Sequence, residues 1–191
     1  MNKIGNIIRN PYKLLSALAY RGRLNFLSDE QYLKMIYRGT IGKRLDLKNP
    51  KTFNEKLQWL KLYNRKPEYT MMVDKYAVRQ YIAEKIGAEH LIPLVGGPWK
   101  SAEEIDFDAL PEQFVLKCNH DSGGVIVCQD KSKLDIPAVK EKLQHKLGMN
   151  YYKSGREWPY KDVSPCVFAE KYMVDESGTD LKDYKWYCFN G

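Results

Sequence analysis

The sequence predicts an α+β fold: a helical N-terminal region over residues 1–90, then a small antiparallel-sheet lobe over residues 91–191 with a helix on one face. Three observations predict it. Up to Gly87, apolar residues recur at helical spacing between capping residues. After Gly87 the pattern changes to short, apolar, β-prone runs. Two of those runs are joined by a Gly-rich loop, the mark of a hairpin or near-hairpin.

The elements follow in chain order. Lys3, Arg9 and Lys13 precede the apolar run 14–20, Arg21 and Arg23 follow it, and Pro11 interrupts the stretch. The run is far too short to span a bilayer, and no small-residue cleavage site follows. Two readings stand: a basic amphipathic helix touching anionic lipid, and a helix packing on the domain, the second being expected. Ser28 caps the next helix, with Asp29 and Glu30 favouring its N-terminal dipole. Tyr32, Leu33, Ile36 and Tyr37 mark its apolar face, and Gly39 and Gly42 are expected to end it. Thr52 and Glu55 form a capping box, after which Phe53, Leu57, Leu60 and Leu62 mark a helix toward Tyr63. Asp74 caps a helix over 75–86, closed by Gly87, with Tyr76, Val78, Tyr81, Ile82 and Ile86 as its core face.

Beyond Gly87, residues 92–99 read as a short extended piece leading into a turn. Phe114–Cys118 is an apolar strand carrying one charge, Lys117. Asp121, Ser122, Gly123 and Gly124 form a tight turn, and Val125–Cys128 is a second strand. The loop 120–124 is expected to be mobile and exposed. A helix over Ile136–Leu147 follows, then strands over 165–173 and 184–189. Asn190-Gly191 is a hairpin turn signal, so a further strand is expected beyond it.

Composition narrows the function classes. With 43% hydrophobic and 29% charged residues, the 191-residue chain reads as an ordinary globular protein and not a disordered one. A net charge of +7 permits polyanion partners such as nucleotide phosphates, nucleic acid or anionic lipid. Basic and acidic residues are mixed, without a basic stripe, so nucleic acid is not an expected partner. Cys118, Cys128, Cys166 and Cys188 form no C-x-x-C pair, and with His90, His120 and His145 no zinc spacing. They are expected reduced and unbridged, and no metal site is expected among them.

Lys117 carries the chemical argument. A lysine inside an apolar strand is costly unless an anion pairs with it, and a phosphate is one such anion. Three residues on begins a loop in which Ser122, Gly123 and Gly124 let backbone N–H groups approach phosphate oxygens. The bland alternative is an edge-strand lysine facing water beside an ordinary turn.

The order of motifs then resembles the ATP-grasp superfamily: a lysine opening a helix, a lysine on a strand, a Gly-rich loop, and a strand ending in Glu-x-aromatic-aliphatic. Thr52-Phe53-Asn54-Glu55-Lys56, Asp74-Lys75-Tyr76, Lys117-Cys118-Asn119-His120 with Ser122-Gly123-Gly124, Glu157-Trp158-Pro159-Tyr160, Ala169-Glu170-Lys171-Tyr172 and Asp183-Tyr184-Lys185 are similar to the TupA-like branch, over roughly residues 25–191. That family is associated with teichuronopeptide and other surface-polysaccharide biosynthesis.

The resemblance implies an ATP-dependent carboxylate–amine ligase, with ATP and Mg2+ as cofactors. Lys75 and Lys117 would contact the phosphates, and Ser122, Gly123 and Gly124 would cover the γ-phosphate. The backbone of Lys171, Tyr172 and Met173 would bond the adenine edge. Glu170 would bond the adenine amino or ribose side, or else bridge to a neighbouring lysine. Lys185 reaches the phosphates or is an exposed strand lysine; His120 assists in the loop or is a structural turn histidine. The acceptor would be a sugar acid or amino acid. The setting would be cytoplasmic, with peripheral contact with the inner membrane surface or glycan-assembly enzymes.

The family's Mg2+ ligands are not found before Gly191. The lobe is therefore expected to be incomplete at its C-terminus, truncated before the metal-binding subdomain, and inactive alone, with catalytic residues unassigned. Two rivals remain. A nucleotide-sugar glycosyltransferase would use an acidic pair, for which Asp106-Phe107-Asp108 has the letters but reads as a solvated turn. A non-catalytic nucleotide-binding module needs no metal ligands.

Overall fold

Capping chemistry fixes where the helices begin and end. The computed structural model describes residues 11–175 and 184–188. Helices α1 and α2 span Pro11–Tyr20 and Asp29–Ile41. The Ser28 hydroxyl accepts from the Gln31 amide while the Gln31 side chain accepts from the Ser28 amide, a reciprocal box. Gly42, at φ 79°, ends α2. Gly39 does not end it. A Cβ there would run into the Ser16 hydroxyl and the Tyr12 carbonyl of α1, so this glycine permits close helix approach. Ala19 of α1 and Tyr32, Leu33 and Tyr37 of α2 form one buried cluster with Leu45. The first helix thus packs on the domain, as expected. Among the described residues no helix is long and apolar enough to cross a membrane.

Helix α3, Phe53–Tyr63, begins at the expected Thr52–Glu55 box. Its apolar stripe faces outward, however: Phe53 is 67% exposed, and Leu57, Trp59, Leu60 and Tyr63 are exposed too. Gln58, Lys61 and Leu62 turn inward, and Lys61 donates to the Gly155 carbonyl at 3.0 Å. Periodicity identifies an amphipathic helix but does not choose its buried side. A short helix α4, Glu68–Val73, precedes Asp74. Asp74 Oδ1 accepts from the Tyr76 and Ala77 amides at 2.9 and 3.0 Å, opening a helical turn that leads into α5, Val78–Ile86. Of the expected core face, Tyr76, Val78 and Ile82 are half-buried, whereas Tyr81 and Ile86 are exposed.

The sheet has four strands: β1 Leu94–Trp99, β2 Phe114–Cys118, β3 Val125–Cys128 and β4 Val167–Lys171. Their order is β1-β4-β2-β3, and every neighbouring pair is antiparallel. The expected β2–β3 pairing is present, with Phe114 opposite Cys128 and Lys117 opposite Val125. The strand expected over 184–189 is not: residues 184–188 are irregular and exposed, and Phe189 lies outside the described residues. A β-prone run becomes a strand only where a neighbour accepts its ladder, and none of the four strands does so here.

Alternation along the strands divides the sheet into two faces. Phe114, Leu116, Cys118, Ile126, Cys128, Val167 and Ala169 pack with Val139, Leu143 and Leu147 of α6, Ile136–Leu147. On the opposite face, the Tyr76 ring, in the turn leading into α5, covers β4, its centroid 5.6 Å from that of Phe168. The β2–β3 half of that face stays open, presenting Val115, Lys117, Val125 and Val127.

Candidate functional site

Lys117 stands at the border between the covered and open halves of this face. Its ammonium lies 2.5 Å from Glu170 Oε2, and Arg79 of α5 holds the other carboxylate oxygen, Oε1, at 2.7 Å. Side-chain exposures are 7% for Glu170, 14% for Arg79 and 27% for Lys117. The second Arg79 nitrogen is bound to the Ile92 carbonyl. Glu170 therefore takes the salt-bridging alternative, with both oxygens engaged inside the protein. Lys117 is neither a water-facing edge lysine nor an unpaired buried charge.

A buried polar network holds the loop end of β2. Asn119 is 1% exposed. Its Nδ2 donates to Asp74 Oδ2 at 2.9 Å and to the Ser164 carbonyl at 3.0 Å, while its Oδ1 accepts from the Cys166 amide at 2.8 Å. The Lys75 amide donates to the Asn119 carbonyl at 3.1 Å, and the Asn119 amide to the Cys166 carbonyl at 3.0 Å. One side chain thus joins the turn that opens α5, the end of β2 and the approach to β4. The Lys75 ammonium points at the Cys118, Asn119 and Asp121 carbonyls. Burial pulls its pKa down, and Asp121 pulls the other way.

The Gly-rich loop differs from expectation. Only Ser122 and Gly123 are exposed; His120, Asp121 and Gly124 are buried. His120 Nε2 donates to the Lys146 carbonyl at 3.1 Å, and its Nδ1 lies 3.2 Å from Asn119 Oδ1. That is the structural turn histidine, and it is why the loop is anchored and not wholly exposed. Asp121 Oδ2 is buried and makes no hydrogen bond, with the Lys146 ammonium 3.3 Å away. A Cβ on Gly124 would meet the Asp121 carboxylate, whereas Gly123, at φ +85°, has open space around it. Loop closure comes from the Cys118 amide donating to the Gly124 carbonyl at 3.3 Å.

At the other end of β2 lies the end of β4, with Phe114 opposite Lys171. The Lys171 amide is bound to the Pro93 carbonyl at 2.9 Å. Tyr172 is half-buried, its hydroxyl accepting from Gln129 at 2.7 Å, and Met173 is exposed. The structure brings Lys75, Lys117, Glu170 and the loop together at one end of β2, and Lys171, Tyr172 and Met173 at the other. Lys185 is exposed in the irregular segment and is not brought to them.

Other chemistries find little here. Among the described residues no three His, Cys, Asp or Glu side chains are grouped to hold a metal ion. Asp106 caps its own turn, accepting from the Asp108 and Ala109 amides at 3.0 and 3.2 Å, so the acidic pair is a turn. All four cysteines are free; burial pushes Cys118 up to about 12 and Cys166 up to about 11, which argues against a thiolate nucleophile. Sequence reading missed Arg79 and Asn119 as site residues. Arg79 lies four residues after Lys75, on the same helical face, and that spacing was its available signal.

An antiparallel sheet backed by one helix, with a lysine on its open face and a glycine loop at one end, has the form of an ATP-grasp lobe. The TupA-like ATPgrasp family profile matches residues 55–191, well over half of the chain, and the chain belongs to that family. The match begins within α3. No curated protein and no solved structure matches the chain.

Proposed function

We propose that the chain is the ATP-binding part of an ATP-dependent carboxylate–amine ligase acting in cell-surface polysaccharide biosynthesis. Family membership supports the nucleotide; the ligase chemistry and the glycan setting are our reading. The observation that carries it is the Lys117 ammonium on an otherwise valine-lined half-face. Val115, Val125 and Val127 provide an apolar floor. The five residues of β2 separate the β4 end from the Gly loop by about 13 Å, at about 3.3 Å per residue. An extended ATP has about that reach, so its base would lie by Tyr172 and Met173 and its phosphates by Lys117, Lys75 and Ser122–Gly123. The Lys171 amide is already bound, so Tyr172 and Met173 are the better partners for the base.

The chemistry then follows from charge. Phosphoryl transfer to an acceptor carboxylate gives it a leaving group, and an amine displaces phosphate to form the amide. What these residues contribute is positioning and neutralisation of the phosphates. The family uses ATP with Mg2+, but the described residues do not supply a ligand set, and no step is routed through the ion. In this reading residues 1–90 are the helical region and 91–191 the nucleotide lobe, with the helix opened at Asp74 lending Lys75 and Arg79 to the site. ATP supply favours a cytoplasmic setting at the inner membrane surface, where a sugar acid or amino acid would be the acceptor.

Calorimetry with ATP, with and without Mg2+, against a uridine nucleotide sugar tests the reading. Saturable ATP binding and no response to the nucleotide sugar are expected. Binding of the nucleotide sugar alone would replace the reading with a glycosyltransferase.

A further inference from the structure

Glu170 is shared unequally by its two cations. Arg79 is fixed at two points, through one nitrogen to Glu170 Oε1 and through the other to the Ile92 carbonyl. Lys117 is the most exposed of the three and holds Oε2 through a single ammonium on a four-carbon arm. Arginine stays charged at any working pH and keeps its fork geometry, whereas a lysine arm readily reorients. A phosphate arriving on the open half-face competes with Glu170 for the Lys117 ammonium. If Lys117 were the only cation on Glu170, leaving it would strand a buried carboxylate, which is strongly disfavoured.

We propose that Arg79 is a positioning residue that keeps Glu170 compensated, so that Lys117 is free to transfer from Glu170 to a nucleotide phosphate. Glu170 parks the Lys117 ammonium at the edge of the site, and Arg79 makes the parking reversible. No bond is made or broken; the step exchanges one ion pair for another. The inference rests on the ATP-binding reading above, and its test is built to separate the two.

The test is a double-mutant cycle on ATP affinity, read by calorimetry, over wild type, Arg79→Met, Glu170→Gln and the double variant, with folding checked by circular dichroism. Arg79→Met is expected to weaken ATP about tenfold or more, because Lys117 becomes locked onto an otherwise uncompensated carboxylate. In the Glu170→Gln background the same change is expected to cost less than about twofold, since no carboxylate remains to trap Lys117. Equal losses in both backgrounds would mean that Arg79 acts only as packing, and no loss in either would mean that it does not position the site; each overturns the proposal. Should Arg79→Met not fold, Glu170→Gln decides alone: a released Lys117 is expected to bind ATP at least as tightly as wild type, and weaker binding overturns the proposal. Wild type that binds no ATP sinks the functional reading itself. Wild type that binds, with Lys117→Ala weakened and Arg79→Met unchanged, sinks this inference alone.

Discussion

Replacing Asn119 with alanine removes the side chain that ties three elements together. The change deletes its bonds to Asp74 Oδ2, the Ser164 carbonyl and the Cys166 amide. Each is worth about 1 kcal/mol net, and a buried amide left without an acceptor adds about 1–3 kcal/mol. Cys166 is buried, so its amide incurs that penalty; Ser164 is exposed, and water can replace its lost partner. Asn119→Ala should therefore cost about 3–5 kcal/mol of stability. In urea, with a slope of about 2 kcal/mol per molar, the unfolding midpoint should fall by roughly 1.5–2.5 M. Asn119→Asp keeps the shape but sets an acceptor against Asp74 and the Ser164 carbonyl, so it should be no milder at neutral pH. A loss below about 1 kcal/mol for the alanine variant would refute the argument that Asn119 seats the start of the α5 turn, and with it Lys75, against β2.

Three further outcomes are expected. Lys75 has a folded pKa below its ordinary 10.5, so the fold disfavours its charged form, and its effect on stability becomes more favourable as pH rises from the folded value toward 10.5. ATP pairs with the charged form, so affinity should be full below the folded value and decline as pH rises through it, while Lys75→Arg stays flat; calorimetric titrations between about pH 7 and about pH 10 check this. At Gly124, a Cβ would lie 2.5 Å from Asp121 Oδ1, so Gly124→Ala should cost about 1–3 kcal/mol and lower the melting temperature by several degrees; an unchanged melt would show that the carboxylate yields freely. Native protein treated with a thiol-reactive chromogenic disulfide should release one rapid equivalent, from exposed Cys188, and three slow ones; rapid labelling of Cys118 would contradict its burial.

What was legible in the sequence is what short-range physics determines. Ser28, Thr52 and Asp74 each satisfy amides within three residues, so their helix starts could be read directly. The β2–β3 pairing follows from two apolar runs around a glycine turn. Lys117 stood out because a charge interrupts an apolar alternation. Long-range pairing was not legible. The insertion of β4 between β1 and β2 depends on partners dozens of residues away, and Arg79 meets Glu170 across 91 positions. The outward stripe of α3 illustrates the same limit, since its periodicity is the same whichever side is buried. The loop was expected to be exposed because Ser and Gly dominate its tip. Its first residues are instead held by His120 and Lys146, and residue type alone did not reveal that tether.

The central claim is that Lys117 meets ATP on the open half-face, and the affinity of Lys117→Ala for ATP tests it most directly. Removing one partner from a hydrogen-bonded charge pair at a desolvated site costs about 2–4 kcal/mol, so calorimetry should show ATP binding weakened by about 30-fold to 1,000-fold. The fold should persist by circular dichroism, since Arg79 continues to compensate Glu170. Lys133→Ala is the control, its side chain 81% exposed and paired only with the neighbouring Asp130, and should bind ATP as wild type does. A folded Lys117→Ala protein that binds ATP as tightly as wild type would contradict the account, making Lys117 a structural counter-ion of Glu170 and moving the nucleotide elsewhere.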